Sequence, residues 1–322
     1  MDIIISIIIP IYNAEKYLKE LLDSIYNQSF NKYEVLMIND GSTDRSEKIC
    51  LSFAEKSKKF KYFYKKNSGI SNTRNYGIQK SKGKYICFVD ADDLLDINYL
   101  NDFINALKTE PAQLCCCKFE KFNKNAISLH SDKKLVIDKI CIDKKKYDLL
   151  YDTYLGYVWN RLFERKIIAS HNLKFNSKIS MSEDLLFNFE YLKCIDKVIC
   201  INKENYKYRR QISSASSNLG NAKWYTIFRT LDYLMKKKDL FSSTVNNQLI
   251  YSYIFYLYQA KFRLKYIKNT KEYMQIKENI KKRIKSLKYE KPFLTNKQKI
   301  KIFIYKYFNR LAFRIKIYKN MK

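Results

Sequence analysis

Residues 84–93 read Lys-Tyr-Ile-Cys-Phe-Val-Asp-Ala-Asp-Asp, an apolar run that ends in acid. Tyr85 to Val89 are aromatic, apolar and β-branched behind Gly83, the pattern of a short buried strand. Asp90, Asp92 and Asp93 follow its C-terminal end. In extended chain residues i and i+2 share a side, so Asp90 and Asp92 can face one bound species. Two carboxylates so close repel unless a cation or a proton lies between them. Hard ions such as Mg²⁺ or Mn²⁺ take oxygen ligands and share them between a carboxylate or two and phosphate oxygens. The chemistry indicated is a metal–diphosphate site. An exposed acidic turn capping a helix near Asp96 would show the same letters, so the rest of the chain must decide.

Three further polar positions fall at strand ends. Ile3–Ile9 reads as a first strand followed by Asn13, which can cap a helix from Ala14 to about Asn27. Tyr33–Ile38 is a second strand ending at Asn39-Asp40-Gly41-Ser42. Asp44 and Glu47 have capping-box spacing for the next helix. Phe60–Tyr64 is a third strand, and Asn67-Ser68-Gly69 turns into a helix from Ser71 to about Gln79 that carries Arg74. Four strand–helix alternations predict an α/β fold with a mostly parallel sheet covered on both faces. Such sheets bind ligands beyond the carboxyl ends of their strands. Asn13, Asp40, Gly69 with Arg74, and Asp90 with Asp92 all fall there. Asp40 suits a base or ribose, and the fork-shaped Arg74 suits a diphosphate. No Gly-x-Gly-x-x-Gly and no Walker-type loop occurs, which argues against dinucleotide and P-loop enzymes.

These segments resemble a known family. Ile-Ile-Pro-Ile-Tyr-Asn-Ala-Glu-Lys-Tyr-Leu, Ile-Asn-Asp-Gly-Ser-Thr-Asp, Asn-Ser-Gly-Ile-Ser-Asn-Thr-Arg-Asn-Tyr-Gly and Val-Asp-Ala-Asp-Asp are similar, in order and separation, to the donor-site motifs of family 2 glycosyltransferases. The resemblance spans residues 3–96 and implies the GT-A fold, a Rossmann-like α/β domain. It implies a nucleotide-sugar donor, most often UDP-linked, contacted at Pro10, Tyr12, Asn13, Asp40, Gly69, Arg74 and Asp90. Asp92 would bind Mn²⁺ or Mg²⁺ with Asp90 beside it. Asn39 stands where many relatives carry a second aspartate, which lowers the local negative charge and leaves Asp40 in place.

The middle of the chain resembles the acceptor half of the same family. Tyr157-Val-Trp-Asn-Arg-Leu-Phe-Glu-Arg precedes Met181-Ser-Glu-Asp-Leu-Leu-Phe, where the resemblance implies Asp184 as catalytic base with Glu183 beside it. Ser182 can cap this helix, and Leu185, Leu186, Phe189 and Leu192 have core spacing. Acids in a first helical turn are stabilised by the helix dipole whatever their role, and the dipole would favour an ionised Asp184. Trp159 suits either a sugar face or the core. In Tyr206-Lys-Tyr-Arg-Arg-Gln-Ile-Ser-Ser-Ala-Ser the resemblance puts Arg209 or Arg210 at the donor diphosphate. Asn98–Leu107 reads as a helix, Gln113–Phe119 as a strand, and 120–145 as a hairpin or loop.

Composition bounds the partners. The chain has 322 residues and a net charge of +30, yet residues 201–322 carry 30 Lys/Arg against 6 Asp/Glu. Such a basic segment on a near-neutral body points to an anionic surface. Residues 296–319 interleave Ile300, Ile304, Tyr307, Leu311, Ile315 and Tyr318 with lysine and arginine, the pattern of an in-plane membrane helix or of a helix lying on the protein's own body. No apolar run reaches the ~18–20 residues of a membrane span. The eight cysteines lack metal-site spacing and read as reduced core residues. Two histidines, neither near a nucleophile, make a His-based triad an unlikely reading.

The expected organisation is a GT-A domain over 1–220, with 1–96 as nucleotide-sugar half and 97–220 as acceptor half, then a basic helical region over 221–322. The expected function is inverting sugar transfer to a glycan or lipid-linked glycan acceptor in cell-surface polysaccharide or lipooligosaccharide synthesis. The expected location is the cytoplasm, at the inner face of the membrane, without a nucleic-acid partner. A metal-dependent nucleotidyltransferase and a non-catalytic basic membrane- or nucleic-acid-binding protein are the alternatives.

Overall fold

The computed structural model describes residues 2–122, 129, 133–151, 156–210, 222–264 and 271–286. Its first part alternates strand and helix: β1 (Ile5–Ile11), α1 (Leu18–Tyr26), β2 (Tyr33–Asn39), α2 (Ser46–Lys56), β3 (Phe60–Tyr64), α3 (Ile70–Lys80) and β4 (Tyr85–Phe88). The apolar runs that form β1 and β2 are almost wholly buried, as expected of strands covered on both faces. β2 pairs parallel with β1 and β3, and β1 with β4. Ile11 therefore lies opposite Asn39, and Asn39 opposite Tyr64, so these carboxyl ends share one edge. Pro10 is tolerated in β1 because it lies past Ile8–Phe88, the last β1–β4 pair.

β5 (Leu94–Leu95), α4 (Tyr99–Thr109), β6 (Leu114–Phe122), β7 (Ile137–Ile142), α5 (Lys145–Asp148), β8 (Arg161–Glu164), α6 (Arg165–Ser170), α7 (Glu183–Lys193) and β9 (Lys197–Arg209) follow. The sheet order is β3–β2–β1–β4–β8–β6–β9–β5, with β7 also on β9. β8 enters between β4 and β6 antiparallel to both, so the parallel pattern of the first hundred residues stops there. β7 does not form a hairpin with β6; it pairs antiparallel with β9. Cys115, Cys116 and Cys117 are buried in β6, as the strand reading expected.

Glycine permits the closest approaches. A Cβ on Gly83 would lie 2.6 Å from the Ser6 backbone nitrogen, and one on Gly77 2.3 Å from Ile8 Cγ2. These contacts set α3 and the start of β4 tightly on β1. Behind β4, Phe88 meets Phe163, Phe175 and Phe187 edge-on at 5.8, 5.2 and 6.1 Å, and Phe175 and Phe187 stack at 4.1 Å. Asn75 of α3 exchanges two hydrogen bonds with the Phe175 backbone, at 2.9 and 2.8 Å. This aromatic box forms the apolar floor beneath α3 and the start of α7.

The chain forms two compact units, residues 1–177 with 183–209, and residues 178–182 with 210–322. The second unit holds α8 (Ile227–Met235), α9 (Ser243–Arg263) and α10 (Lys271–Ser286). Phe228, Leu231, Leu234, Leu249, Tyr253 and Leu257 are buried, at helical spacing, while Tyr225 and Tyr256 are half-buried. Arg283 donates to Asp232 and, at 2.6 Å, to the Tyr253 hydroxyl. Residues 178–182 join this unit through Arg229, which donates to the Lys178 carbonyl at 2.7 Å, and through Thr226, whose hydroxyl accepts from the Ser180 N–H at 2.9 Å. No shift in composition marks that exchange. Residues 296–319 lie outside the described residues. Among the described residues no helix is long and apolar enough to cross a membrane.

Candidate active site

Arg74 is the hub of the acidic residues. It sits one turn into α3, is 2 % exposed, and donates to Asp184 Oδ1 at 2.5 Å, Asp90 Oδ1 at 3.2 Å and Glu183 Oε1 at 3.4 Å. Phe175 lies 5.3 Å from its guanidinium. The arginine, expected at a diphosphate, donates here to three carboxylates over an aromatic floor. These bonds join the end of β4 to the first turn of α7, bringing Asp90, Glu183 and Asp184 together.

Burial pushes the Asp184 carboxyl up to about 7, Glu183 and Asp90 add repulsion, and Arg74 opposes the rise. The helix dipole was expected to favour ionisation, but loss of water dominates. The helix also begins without the expected core pattern. Leu185 and Leu186 are only half-buried, while Phe187, Phe189, Tyr191 and Leu192 turn inward. Ser182, at φ +65°, directs the chain into this turn from the left-handed region.

The acidic turn is braced from β9. The Tyr206 hydroxyl donates to Asp93 Oδ2 at 2.6 Å and accepts the Asp90 N–H at 3.2 Å. The Arg209 N–H donates to Asp93 Oδ1 at 2.7 Å, and its Nε to the Asp92 carbonyl at 2.7 Å. Burial and the neighbouring Asp92 and Asp90 hold the Asp93 carboxyl well above the usual range. Arg209 continues to Glu20 at 2.6 Å and lies over the rings of Tyr17 and Phe122 at 4.4 and 4.6 Å. Arg209 thus braces the acidic turn, and Arg210 is the exposed member of the pair. The brace was missed in the sequence, although Tyr206 and Tyr208 at i and i+2 signalled a shared strand face.

The outer rim is built from loops. Asp40 is 4 % exposed, and its oxygens accept from Lys65 and from the Ser68 and Gly69 N–H groups, both at 2.9 Å. Its carboxylate, expected to hold uracil or ribose, shapes the turn before α3. Gly69 adopts φ +88° there, a conformation that disfavours any side chain. Asn13 does not cap α1, which starts at Leu18; at φ +49° it accepts the Thr43 N–H at 2.8 Å and ties the loop after β1 to that after β2. Asp44 accepts from Ser46 and Glu15 N–H groups at 2.9 Å, and Glu47 accepts from Tyr62, so no capping box forms. Tyr12 is 55 % exposed and Pro10 half-buried.

Of the two readings of Trp159, sugar face or core, its burial favours the core. The residue is 2 % exposed and lies nearly parallel to Tyr206 at 4.2 Å and Tyr157 at 4.7 Å. Among the described residues no group of three or more His, Cys, Asp or Glu is arranged to hold a metal. The Asp90 side chain is 27 % exposed and Asp92 is half-buried, while Asp93 turns inward to Tyr206. Two accessible hard-oxygen donors fit a divalent cation that completes its shell with phosphate and water.

Residues 6–171 match the family described as Glycosyl transferase family 2, and the chain belongs to that family. It is 30% identical over 228 residues to Glycosyltransferase GlyA of Streptococcus pneumoniae serotype 4, covering 68% of this chain and 32% of GlyA. The chain thus spans about a third of that relative's length. A crystal structure of S. aureus TarS in complex with UDP-GlcNAc is similar with TM-score 0.62 at 20% identity, over 77% of this chain and 70% of that one. GalNAc-T7 with UDP, GalNAc and Mn²⁺ is similar with TM-score 0.51 at 14% identity, over 71% and 48%. These likenesses show the fold, a mixed α/β GT-A domain with helices at the C-terminus.

Proposed function

We propose that the protein is an inverting glycosyltransferase that moves a sugar from a UDP-sugar to a hydroxyl of a glycan or lipid-linked glycan. The observation that carries this reading is the Arg74 bridge, which sets a proton-accepting carboxylate, Asp184, beside the acidic end of β4. Family membership supports sugar transfer, and the UDP-GlcNAc and Mn²⁺ held by the structural relatives support the donor class and a divalent ion.

In this reading the rim after β1, β2 and β3, with Tyr12, Asn13 and Gly69, receives the nucleotide. Asp92 and Asp90 would hold Mn²⁺ or Mg²⁺, which when bound neutralises charge on the diphosphate. Asp184 accepts the proton of the acceptor hydroxyl while its oxygen bonds to the anomeric carbon. The bond from that carbon to the diphosphate breaks, and UDP leaves with the electron pair. Glu183 and Arg74 keep the base in place and balance its charge. Arg210 and the basic residues beyond it are suited to an anionic acceptor or membrane surface.

A thermal-stability panel of UDP, GDP, CDP and dTDP, each with and without Mn²⁺, tests the donor assignment. UDP should raise the Tm only when Mn²⁺ is present, because ligand binding to the native state alone stabilises it. No shift with any nucleotide–metal pair would sink the donor assignment.

A further inference from the structure

The expected aromatic platform is absent at Trp159, but the ring lying on it is exposed. Tyr157 is 42 % exposed and inclined only 16° to the Trp159 ring. Trp159 in turn stacks on Tyr206, whose hydroxyl is fixed by Asp93. Phe119 meets both Tyr157 and Trp159 edge-on, at 6.0 and 5.0 Å. A column of rings thus starts at the braced acidic turn and ends in the partly exposed Tyr157 ring.

The base helix also fixes that phenol. Asn188 lies four residues after Asp184 on α7, hence on the same face, and its Nδ2 donates to the Tyr157 carbonyl at 3.0 Å. Burial pushes the Tyr157 hydroxyl up, and the negative charge of Asp184 pushes it further. One helix therefore positions both the proton acceptor and the exposed ring. A pyranose presents a face of C–H bonds, weakly positive and apolar, that complements the electron-rich face of an aromatic ring.

We propose that Tyr157 is the acceptor platform: a sugar ring of the acceptor stacks on its outer face, which presents a hydroxyl to Asp184. This rests on the glycosyltransferase reading above and assigns its acceptor subsite to saccharide rather than to lipid chain or aglycone.

The test uses the full chain with UDP and Mg²⁺ and a panel of methyl glycosides of glucose, galactose, N-acetylglucosamine and N-acetylgalactosamine. Saturation-transfer NMR reads glycoside binding, and calorimetry reads UDP binding separately. At least one glycoside should receive saturation from the wild-type protein. Tyr157→Ala should weaken it by about tenfold with UDP affinity unchanged, and Tyr157→Trp should retain it. Wild-type signal in Tyr157→Ala, or no glycoside signal on the wild type, would overturn the platform. So would a joint loss of sugar and UDP binding in Tyr157→Ala, which would make the ring a structural support. Failure of the wild type to bind UDP would instead strike the donor assignment.

Discussion

Asp184→Asn is expected to lower sugar transfer by a factor of about 100 to 10,000 while leaving UDP affinity nearly unchanged. The substitution keeps the size and an oxygen that can accept from Arg74, whose bond to Asp184 is 2.5 Å, but it removes the negative charge and the basicity that a proton acceptor needs. The nucleotide rim is built on separate loops, around Asn13, Asp40 and Gly69, and should not register the change. Wild-type kcat/KM should fall as pH drops through about 7, because burial raises the Asp184 carboxyl to that value and protonation removes the base. The residual activity of Asp184→Asn should lack that limb. Steady-state rates from pH 5.5 to 8.5 with parallel UDP titrations check both points. Lost UDP affinity in the variant would remove Asp184 from the role of base.

Arg74→Ala should be the most damaging change to stability, costing about 3–5 kcal/mol at pH 8. It leaves Asp90, Glu183 and Asp184 close together without their shared counterion, over the floor of Phe175 and Phe187. The pH dependence has a definite sign. A carboxyl whose folded pKa lies above its unfolded value binds more protons in the folded state, so stability falls as pH rises between the two values. Asp184 already contributes such a decline between about 4 and 7 in the wild type. Without Arg74, which opposes the rise, the Asp184 carboxyl climbs further, so the decline should steepen and reach higher pH. Urea midpoints of the variant should approach those of the wild type near pH 5.5, and Asp184→Asn added to Arg74→Ala should recover part of the loss. Equal losses at pH 5.5 and pH 8 would show that the guanidinium acts by packing alone.

The first four strands were legible because each is a continuous apolar run between turn residues, and two-sided burial writes such runs directly into sequence. Their order then placed Asn13, Asp40, Gly69 and Asp90 on one edge. What those side chains do was less legible. Asn13 has the letters of a helix cap, but a cross-loop bond to Thr43 claims it, while Asp44 divides its oxygens between the Ser46 N–H that opens α2 and the Glu15 N–H across the loops. Arg74 and Asp184 are 110 residues apart, and nothing local distinguishes an arginine that binds phosphate from one that holds a carboxylate. Trp159 and Tyr157 are both aromatic and two residues apart; only the stack decides which is core and which faces solvent. The antiparallel entry of β8 depends on long-range pairing with β4 and β6, for which its four residues carry no signature.

The central claim is transfer of a glycosyl group from a UDP-sugar by in-line displacement. NMR of the protein with UDP-glucose, UDP-galactose, UDP-GlcNAc and UDP-GalNAc, Mg²⁺ and the methyl glycoside panel reads leaving group and new linkage together. The expected result is free UDP and a product whose anomeric configuration is opposite to that of the donor sugar. Release of pyrophosphate or a sugar phosphate, or retention of the donor's configuration, would contradict it.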